Sequence, residues 1–496
     1  MILNKKYCIE NGLVKAEQFE LPERIVQFGT GVLLRGLVDY LIDKANKKGI
    51  FNARAVVIKT TDSDASDFPN QDCIFTLNEK GIDNQQVINQ STVITALSRL
   101  MNASDEWSEI LALVEKPEMD IIISNTTEAG IKYVEEDIFQ MPPKSFPAKL
   151  TAFLYKRFQK FGEKAEMVVI PTELLVGNGE ILRGMVLAHA ERHNLSLDFI
   201  NWLKIDCRFC NSLVDRIVPG ATPTAEKLAQ ENALGYTDNL MINSEPFLLW
   251  AIEGDDFVKE KLSFARADSR MVIAEDITQF REQKLRLLNG GHTMSVPLAF
   301  LSGLRTVHDM MSDSTMGDFV TNVVKNEILP TLDFDASDFA NAVLDRFKNP
   351  FIEHKLLSIT VQCTAKMNAR NSATFVRYFE KFNALPPLMM RGFAAYLLFT
   401  KPVKSENGKF FGENTVEFGE NTEGVTYPIQ DDAAPFFKRV WDKTDATNVA
   451  SLHLFVEEVL SNEAIFDGKL KNLVGFKENI AQLLYEMANV NIAVSQ

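Results

Sequence analysis

The sequence has few cysteines, no excess of basic residues and no long uninterrupted hydrophobic run. Its five cysteines, in 496 residues, are the sparse, odd set typical of reduced thiols, so we expect a cytoplasmic protein. No stretch reaches the about 18 apolar residues of a membrane span, and the opening MILNKKYCIENG has no signal-peptide core. The formal net charge of -15 argues against a nucleic-acid-binding protein. We therefore expect neither a membrane nor a nucleic acid among its partners.

What the sequence does contain is a set of short β-branched runs that alternate with helical segments. These runs lie at 24–28, 54–60, 119–125 and 166–173. The alternation predicts an α/β fold, with a doubly wound parallel sheet covered by helices on both faces. From about residue 245 helical periodicity dominates. We therefore expect two domains, at 1–244 and 245–496, the second mostly α-helical.

The first candidate ligand site is the glycine turn in QFGTGVLLRG (27–36), which follows the first predicted strand. Glycines let the backbone approach a pyrophosphate, and the N–H groups of the following helix favour its charge. The third glycine of the dinucleotide fingerprint is absent, because Leu34 stands there. The segment predicts cofactor contacts at Gly29, Gly31 and Arg35, and a tight turn without a ligand is the alternative.

The end of the second predicted strand decides which dinucleotide the chain accepts. An acid normally binds the adenosine ribose there, but the segment KTTDSD (59–64) begins with Lys59. Asp62 is the candidate acid, and Asp64 is the alternative. A lysine at this place favours a 2′-phosphate, so the residues leave the choice between NAD and NADP open.

A third polar segment, SNTTEAG (124–130), follows the strand IIIS directly. Loops at the carboxyl ends of parallel strands are where doubly wound sheets bind ligands. We therefore predict cofactor contacts from Thr126, Thr127 and Glu128. The alternative is a capped helix start, with Thr126 or Thr127 as the N-cap.

The segment KLRLLNGGH (284–292) carries three side chains suited to carbonyl chemistry. On an α-helix, Lys284, Asn289 and His292 would fall within an arc of about 140°. A desolvated lysine exchanges protons, and an amide N–H stabilises an alkoxide-like oxygen. The alternative is a partly exposed helix with unrelated polar groups.

The segment FCNSLVDRIVPG (209–220) offers another amide donor at Asn211. We interpret Asp215 and Arg216 there as a structural ion pair and cap. Two metal-like patterns, CRFC (207–210) and HAERH (189–193), lack the second cysteine pair of a zinc ribbon and the glutamate position of a zinc protease. We predict no metal site.

Taken together, five segments resemble the mannitol dehydrogenase family of long-chain polyol dehydrogenases over roughly residues 20–480. They are FGTGVLLRG, SNTTEAG, FCNSLVDRIVP, EPFLLWAIEG (245–254) and KLRLLNGGH, in that order. The resemblance implies a Rossmann-type N-terminal domain, a helical C-terminal domain, NAD as cofactor and no catalytic metal. It also implies that Lys284 is the catalytic lysine, that Asn211 and Asn289 bind the oxyanion and that His292 binds substrate.

The segment PTELLVGNGE (171–180), around Glu173, resembles family members that act on six-carbon sugar acids. A substrate carboxylate requires a cation, and the resemblance favours Lys366 and Arg370 in TAKMNAR (364–370). A solvated basic helix turn is the alternative for these two residues. A polyol or fructuronate dehydrogenase with the same machinery and a non-catalytic nucleotide-binding regulator are the competing functions, and the oligomeric state is left open.

Overall fold

The computed structural model describes residues 1–126, 130–220, 222–414 and 425–489. The chain forms two compact units: unit 1 comprises Met1–Lys80 and Val87–Phe280, and unit 2 comprises Gly81–Gln86 and Arg281–Gln496. The division falls after Phe280, later than the 244/245 boundary expected from the sequence. The physical reason is that Leu248, Trp250 and Phe264 are buried in the core of unit 1.

A six-stranded sheet organises unit 1, with the order β5-β2-β1-β6-β7-β8 and parallel pairing throughout. Its strands are β1 (Glu23–Phe28), β2 (Arg54–Lys59), β5 (Leu97–Asn102), β6 (Ile121–Ser124), β7 (Val168–Pro171) and β8 (Arg208–Phe209). This is the strand order of a Rossmann dinucleotide-binding fold, so the doubly wound sheet predicted from the sequence is confirmed. The order reverses between β1 and β6, and that switch point is where such folds bind ligands.

Both faces of the sheet are buried, which explains why its strands are continuously apolar. In β1, Ile25 belongs to the core on one face, whereas Val26 and Phe28 belong to the core on the other. The same alternation separates Ile122 from its neighbours on β6, because successive side chains of a strand point to opposite faces.

Two smaller sheets complete unit 1. One has the order β10-β3-β4 and the other β12-β11-β9. Their strands are β3 (Phe75–Asp83), β4 (Gln86–Ile94), β9 (Ser212–Asp215), β10 (Ile242–Ser244), β11 (Leu249–Glu253) and β12 (Met271–Ala274). The helices are α1 (Lys5–Glu10), α2 (Tyr40–Lys47), α3 (Asp67–Asn70), α4 (Trp107–Ala112), α5 (Phe146–Phe161), α6 (Asn178–Arg192), α7 (Leu197–Ile205), α8 (Thr224–Leu234), α9 (Asp256–Lys261) and α10 (Thr278–Gln283).

Unit 2 is mostly helical, as the sequence predicts, and α18 packs against both α11 and α21. Its helices are α11 (Gly291–Leu301), α12 (Val307–Ser312), α13 (Ser314–Asn322), α14 (Ser337–Phe347), α15 (Leu356–Ile359), α16 (Cys363–Met367), α17 (Ala373–Phe382), α18 (Pro387–Phe399), α19 (Ala434–Trp441), α20 (Val449–Leu460) and α21 (Phe476–Asn489). A three-stranded antiparallel sheet is formed by β13 (Lys404–Glu406), β14 (Lys409–Asn414) and β15 (Val425–Ile429).

All five cysteines are buried and carry free thiols. Burial raises the pKa of Cys8 to about 11 and the pKa values of Cys73 and Cys210 to about 12. It also raises the pKa values of Cys207 and Cys363 well above the ordinary range. Within the described residues, no helix is long and apolar enough to span a membrane.

Candidate functional site

A cavity of about 450 Å³ opens at the switch point of the parallel sheet in unit 1. Its walls come from the segments that follow β1, β2 and β6, where carboxyl ends of neighbouring strands meet at one edge of the sheet. The residues from these segments are Gly29, Thr30, Gly31, Thr60, Thr61, Asn125 and Thr126. The cavity therefore has the position at which a Rossmann fold holds a dinucleotide.

Gly29 and Gly31 contribute to this wall in different ways. Gly29 has φ +126°, and a Cβ built there would lie 3.0 Å from the carbonyl oxygen of Asn125 and 3.1 Å from a methyl group of Leu34. At Gly31 a Cβ would meet nothing within 4 Å. The first glycine therefore permits the turn, and the second leaves open space beside the backbone, as a close-lying pyrophosphate requires.

Three lysines give the lining of this cavity a positive charge. Lys132, Lys144 and Lys149 line it, together with Ser145 and Phe146 at the start of α5. Ser145 caps that helix by accepting from the N–H of Ala148. Burial lowers the pKa of Lys149, whose ammonium donates to the Lys144 carbonyl over 2.6 Å. None of the described lining residues is acidic, so the cavity suits an anionic ligand.

A buried carboxylate lies directly behind the wall formed by Thr126. Glu173, which is 3% exposed, accepts from the backbone N–H of Thr126 at 2.8 Å and from its hydroxyl at 3.2 Å. The Ser124 hydroxyl donates to the other carboxylate oxygen at 3.3 Å. Burial raises the pKa of Glu173. The sequence offered Glu173 only as a substrate-class signature, although its place just after a buried strand was the available signal for this contact.

The other predicted cofactor contacts have different outcomes. Arg35 does not line the cavity; its guanidinium is buried, donates to the Leu240 carbonyl at 2.6 Å and lies over the rings of Phe68 and Phe75. Because these contacts hold it in the core, they support a structural role instead of the predicted one. Asp62 is exposed and next in sequence to the lining residue Thr61. Thr127 and Glu128 lie outside the described residues.

Asn211 lines a second cavity of unit 1, of about 340 Å³, and not the one beside Gly29. Its side-chain oxygen accepts from the N–H groups of Gly179 and Glu180, and its amide nitrogen donates to Glu253 at 2.9 Å. The remaining charged residues of that wall are Arg183, Asp255 and Glu275. A mostly acidic wall opposes the development of negative charge, so these contacts support a structural role for Asn211 instead of oxyanion binding.

The predicted ion pair of Asp215 and Arg216 is replaced by a different one. Arg216 is buried and pairs with Glu79 at 2.7 Å, and it also donates to the backbone carbonyls of Gly36 and Glu245. Glu79 lies on β3, so Arg216 joins segments that are remote in sequence. Arg216 therefore forms a structural ion pair, as the sequence predicts, but its partner is Glu79 instead of Asp215.

In unit 2, Lys284 and Asn289 lie in a π-helical turn, Lys284–Gly290, that directly follows α10 and precedes α11. Hydrogen bonds in such a turn join residues i and i+5, and the backbone winds more slowly than in an α-helix, so residues five apart lie closer together around the axis than the about 140° of an α-helix. Lys284 and Asn289, both half-buried, are separated by that interval. The turn therefore brings the lysine and the amide to one side of the helix.

His292 follows in α11 and packs its ring on Phe347, with ring centroids 3.9 Å apart. Its Nδ1 atom is buried and has no hydrogen-bond partner among the residues that the structure describes. Burial, together with His354, Arg346 and Arg370, lowers the pKa of His292 well below its ordinary value. The imidazole is therefore neutral at physiological pH, with a donor and an acceptor to offer.

Of the two predicted carboxylate ligands, Arg370 is the one that contacts the helix of Lys284. Its Nη1 donates to the Thr293 hydroxyl at 2.9 Å and lies 3.5 Å from the Asn289 carbonyl oxygen. Lys366 donates to the Ile359 carbonyl at 3.0 Å. Unit 2 thus brings Arg370 to the segment of Asn289 and His292, whereas Lys366 is bound to the last residue of α15.

The two metal-like sequence patterns have ordinary surroundings. His189 is fully buried beside Tyr133, and His193 interacts with the His189 carbonyl through Nδ1. Cys207 and Cys210 are buried free thiols. Within the described residues, no group of three or more His, Cys, Asp or Glu side chains could hold a metal ion.

Comparison with known proteins assigns both halves of the chain to one family. Residues 23–266 match the model of the mannitol dehydrogenase Rossmann domain, and residues 276–488 match that of the mannitol dehydrogenase C-terminal domain. The altronate oxidoreductase of Bacillus subtilis is 36% identical over 473 residues, which are 94% of this chain and 92% of that protein. The altronate oxidoreductase of Yersinia pestis is 37% identical over 454 residues, 89% of each chain.

Solved structures show the same fold. A D-sorbitol dehydrogenase in substrate-free form has a TM-score of 0.78 at 20% identity and covers 99% of both chains. The mannitol 2-dehydrogenase of Pseudomonas fluorescens, solved as a ternary complex with NAD and D-mannitol, has a TM-score of 0.65 at 24% identity. That comparison covers 99% of this chain and 98% of the Pseudomonas chain.

Proposed function

The chain belongs to the mannitol dehydrogenase family, and we propose that it is an NADH-dependent tagaturonate reductase that converts D-tagaturonate reversibly into D-altronate during hexuronate catabolism. The coarser function is that of an NAD-dependent oxidoreductase acting on a polyol or sugar acid. The observation that carries the finer proposal is the similarity to altronate oxidoreductases across about nine-tenths of the chain.

The cavity of unit 1 fits the cofactor in shape and charge. Gly31 leaves room for the pyrophosphate, Gly29 permits the turn, and the three lysines offset the negative charge. When bound, NADH supplies the hydride that reduces the ketone. Thr60 and Thr61 offer hydroxyls beyond β2, where an acid more often binds the adenosine ribose.

Unit 2 supplies the proton chemistry in this proposal. Lys284 gives a proton to the oxygen of the carbon being reduced, and in the oxidative direction its neutral amine takes that proton back. The amide of Asn289 donates to the same oxygen while negative charge develops on it. His292 binds a substrate hydroxyl as a neutral imidazole.

The contacts of Asn211 leave Asn289 as the main amide donor in this proposal. For the substrate carboxylate, the candidates remain Arg370 and Lys366. Arg370 is the better placed, because it already contacts the Asn289 and Thr293 segment.

A substrate panel tests the proposal. NADH consumption is measured with D-tagaturonate, D-fructuronate and D-fructose at equal concentrations, and kcat/KM is compared. We expect D-tagaturonate to exceed each alternative at least tenfold. A larger kcat/KM for D-fructuronate or D-fructose would assign the chain to another activity of the same family. No turnover of any of them, with NADH still bound, would favour a nucleotide-binding regulator.

A further inference from the structure

His354 stands beside His292 in unit 2, outside the residues assigned above. The two imidazole rings lie 5.6 Å apart between centroids, at an angle of 68°. His354 belongs to the segment between α14 and α15, and its ring is half-buried. No motif in the sequence connects the two histidines, which are sixty-two positions apart.

The backbone at His354 is fixed before any ligand arrives. Its carbonyl accepts from the N–H of Val307 at 2.9 Å, and its N–H donates to the Ile352 carbonyl at 2.9 Å. The adjoining Lys355 forms an antiparallel bridge with Thr306. The backbone that carries the imidazole is therefore already ordered, and ligand binding costs no backbone entropy at this position.

Several polar groups around His292 make no hydrogen bond within the described part of the chain. The imidazoles of His292 and His354 and the side-chain amide of Asn289 form none there, and Arg370 uses only Nη1 of its three guanidinium nitrogens. Partly buried donors are normally paired with protein or water, so a cluster with spare donors is suited to a polar ligand.

The charge around His292 favours an anion. The ionisable side chains that act on its imidazole are His354, Arg346 and Arg370. The two arginines carry the positive charge, whereas burial lowers the pKa of His354, so its imidazole is a neutral hydrogen-bonding group. Such surroundings repel a metal cation and give a neutral hydroxyl no particular advantage. They stabilise a carboxylate, which accepts several charge-assisted hydrogen bonds at once.

We infer that His354 is a substrate-binding residue that, together with His292, receives the carboxylate of a sugar acid. The inference rests on the proposed function for the substrate class, and it selects this cluster instead of Lys366 as the carboxylate subsite. Arg370 supplies positive charge from the side of Asn289 and Thr293. The carboxylate subsite is thus built from the imidazole pair, and discrimination against uncharged polyols follows from it.

Calorimetry tests the inference. The protein is saturated with NADH, and the binding of D-altronate is compared with that of altritol, its uncharged counterpart. Altronate cannot react in this complex, because its oxidation needs NAD⁺. The variants are His354→Phe, which keeps a ring but removes its donors, and His354→Gln, which restores a neutral donor. His453→Phe, in α20, is the control.

We expect the wild type to bind altronate at least tenfold more tightly than altritol. His354→Phe should weaken altronate binding about tenfold or more while changing altritol binding less than threefold, since a hydrogen bond to a charged group contributes about that factor or more. His354→Gln should recover part of the loss, and His453→Phe should change neither constant.

Equal losses for altronate and altritol, or no preference for altronate in the wild type, would overturn the inference. If His354→Phe does not fold, His354→Ala, which also removes the imidazole, takes its place and is judged by the same two binding constants. Failure of the proposed function has a separate signature. A wild type that binds altronate in preference to altritol but does not reduce D-tagaturonate would refute the reaction and leave the carboxylate subsite in place.

Discussion

The backbone N–H of Thr126 donates to the buried carboxylate of Glu173 over 2.8 Å. One partner lines the cofactor cavity, and the other is buried behind it at the end of β7. Because the Thr126 hydroxyl binds the same carboxylate oxygen, Glu173 fixes both the backbone and the side chain of this wall residue. The shape of the cavity at Thr126 therefore depends on a residue that does not line it.

Replacing Glu173 with glutamine should weaken cofactor binding. Glutamine keeps one acceptor oxygen but adds a buried NH₂ group that faces donors from Ser124 and Thr126. Loss of hydrogen bonds to a charged group corresponds to about 1.5–3 kcal/mol, so we expect the Kd for NADH to rise about tenfold or more. The measurement is NADH fluorescence titration. Glu163→Gln, at an exposed position, is the control, and an equal rise in both variants would contradict the role of Glu173.

The two glycines of the first turn should respond differently to alanine. Gly29→Ala forces a side chain into φ +126° and against Asn125, so we expect a loss of about 1–3 kcal/mol in unfolding free energy. Gly31→Ala meets no neighbour within 4 Å, so its melting temperature should stay within about 2 °C of the wild type while its Kd for NADH rises. Thermal melting and fluorescence titration separate the two effects. A destabilised Gly31→Ala would show that the turn, not the ligand space, requires that glycine.

Lys284→Ala should abolish most of the reductase activity without affecting cofactor binding. Removing a general acid typically lowers the rate by about 10²–10⁴-fold. The assay is NADH consumption with D-tagaturonate, and NADH titration checks that the cofactor still binds. Lys325→Ala, an exposed lysine in another π-helical turn (Val323–Ile328), is the matched control. Comparable rates for Lys284→Ala and the wild type would remove Lys284 from the proposed role.

Alanine substitutions at Asn211 and Asn289 should have different effects: the first should lower stability, and the second should lower kcat. Asn211→Ala removes the acceptor of the Glu180 N–H, while the Gly179 N–H keeps its bond to the Asn178 side-chain oxygen, so we expect a loss of about 1–3 kcal/mol in unfolding free energy. Its kcat should stay within about threefold of the wild type. Asn289→Ala should instead lose about 10²-fold in kcat at nearly unchanged stability. The reverse result would restore the oxyanion role predicted for Asn211.

A buried carboxyl group in unit 2 should make stability depend on pH. Burial raises the pKa of Glu327 to about 7, although its carboxylate accepts from the N–H groups of Leu388 and Met389 at the start of α18. In the unfolded chain the group titrates near 4.5. Between these values the folded state binds more protons, so the contribution of Glu327 to stability falls as pH rises.

Glu327→Gln keeps the acceptor and removes the titration. Relative to this variant, the wild type should lose on the order of 3 kcal/mol of unfolding free energy between about pH 4.5 and pH 7. Denaturant unfolding of both proteins across this range measures the difference. A difference that does not change with pH would show that Glu327 has the same pKa in the folded and unfolded states.

Much of the fold could be predicted because it follows from local patterns. Strands such as β1 and β6 are buried on both faces, so their apolar residues are continuous and easy to recognise. The sheet beyond residue 240 was missed, since β10 is only three residues long and depends on pairing with the distant β3. The predicted boundary at 244/245 consequently cut through unit 1.

The candidate site was predictable where its functional residues are neighbours in the sequence, as in the glycine turn and the segment of Lys284. It was not predictable where tertiary packing decides. The helical arc of about 140° assumed regular α-helix, whereas a π-helical turn determines how Lys284 and Asn289 are placed. Arg35 and Asn211 carry suitable groups, yet partners distant in sequence bind them: the Leu240 carbonyl accepts from Arg35, and the Glu253 carboxylate accepts from the Asn211 amide. Glu173 and His354 gain their surroundings only from segments far along the chain.

The state of the thiols has a practical consequence for handling this enzyme. A thiolate is the species that alkylating reagents attack, and burial keeps all five cysteines protonated and inaccessible in the folded chain. Iodoacetamide should therefore modify only molecules in which the buried thiols have become exposed by unfolding. The modified fraction should equal the fraction of molecules that have unfolded. The native cysteines can therefore report the rate of unfolding, and no additional cysteine has to be introduced.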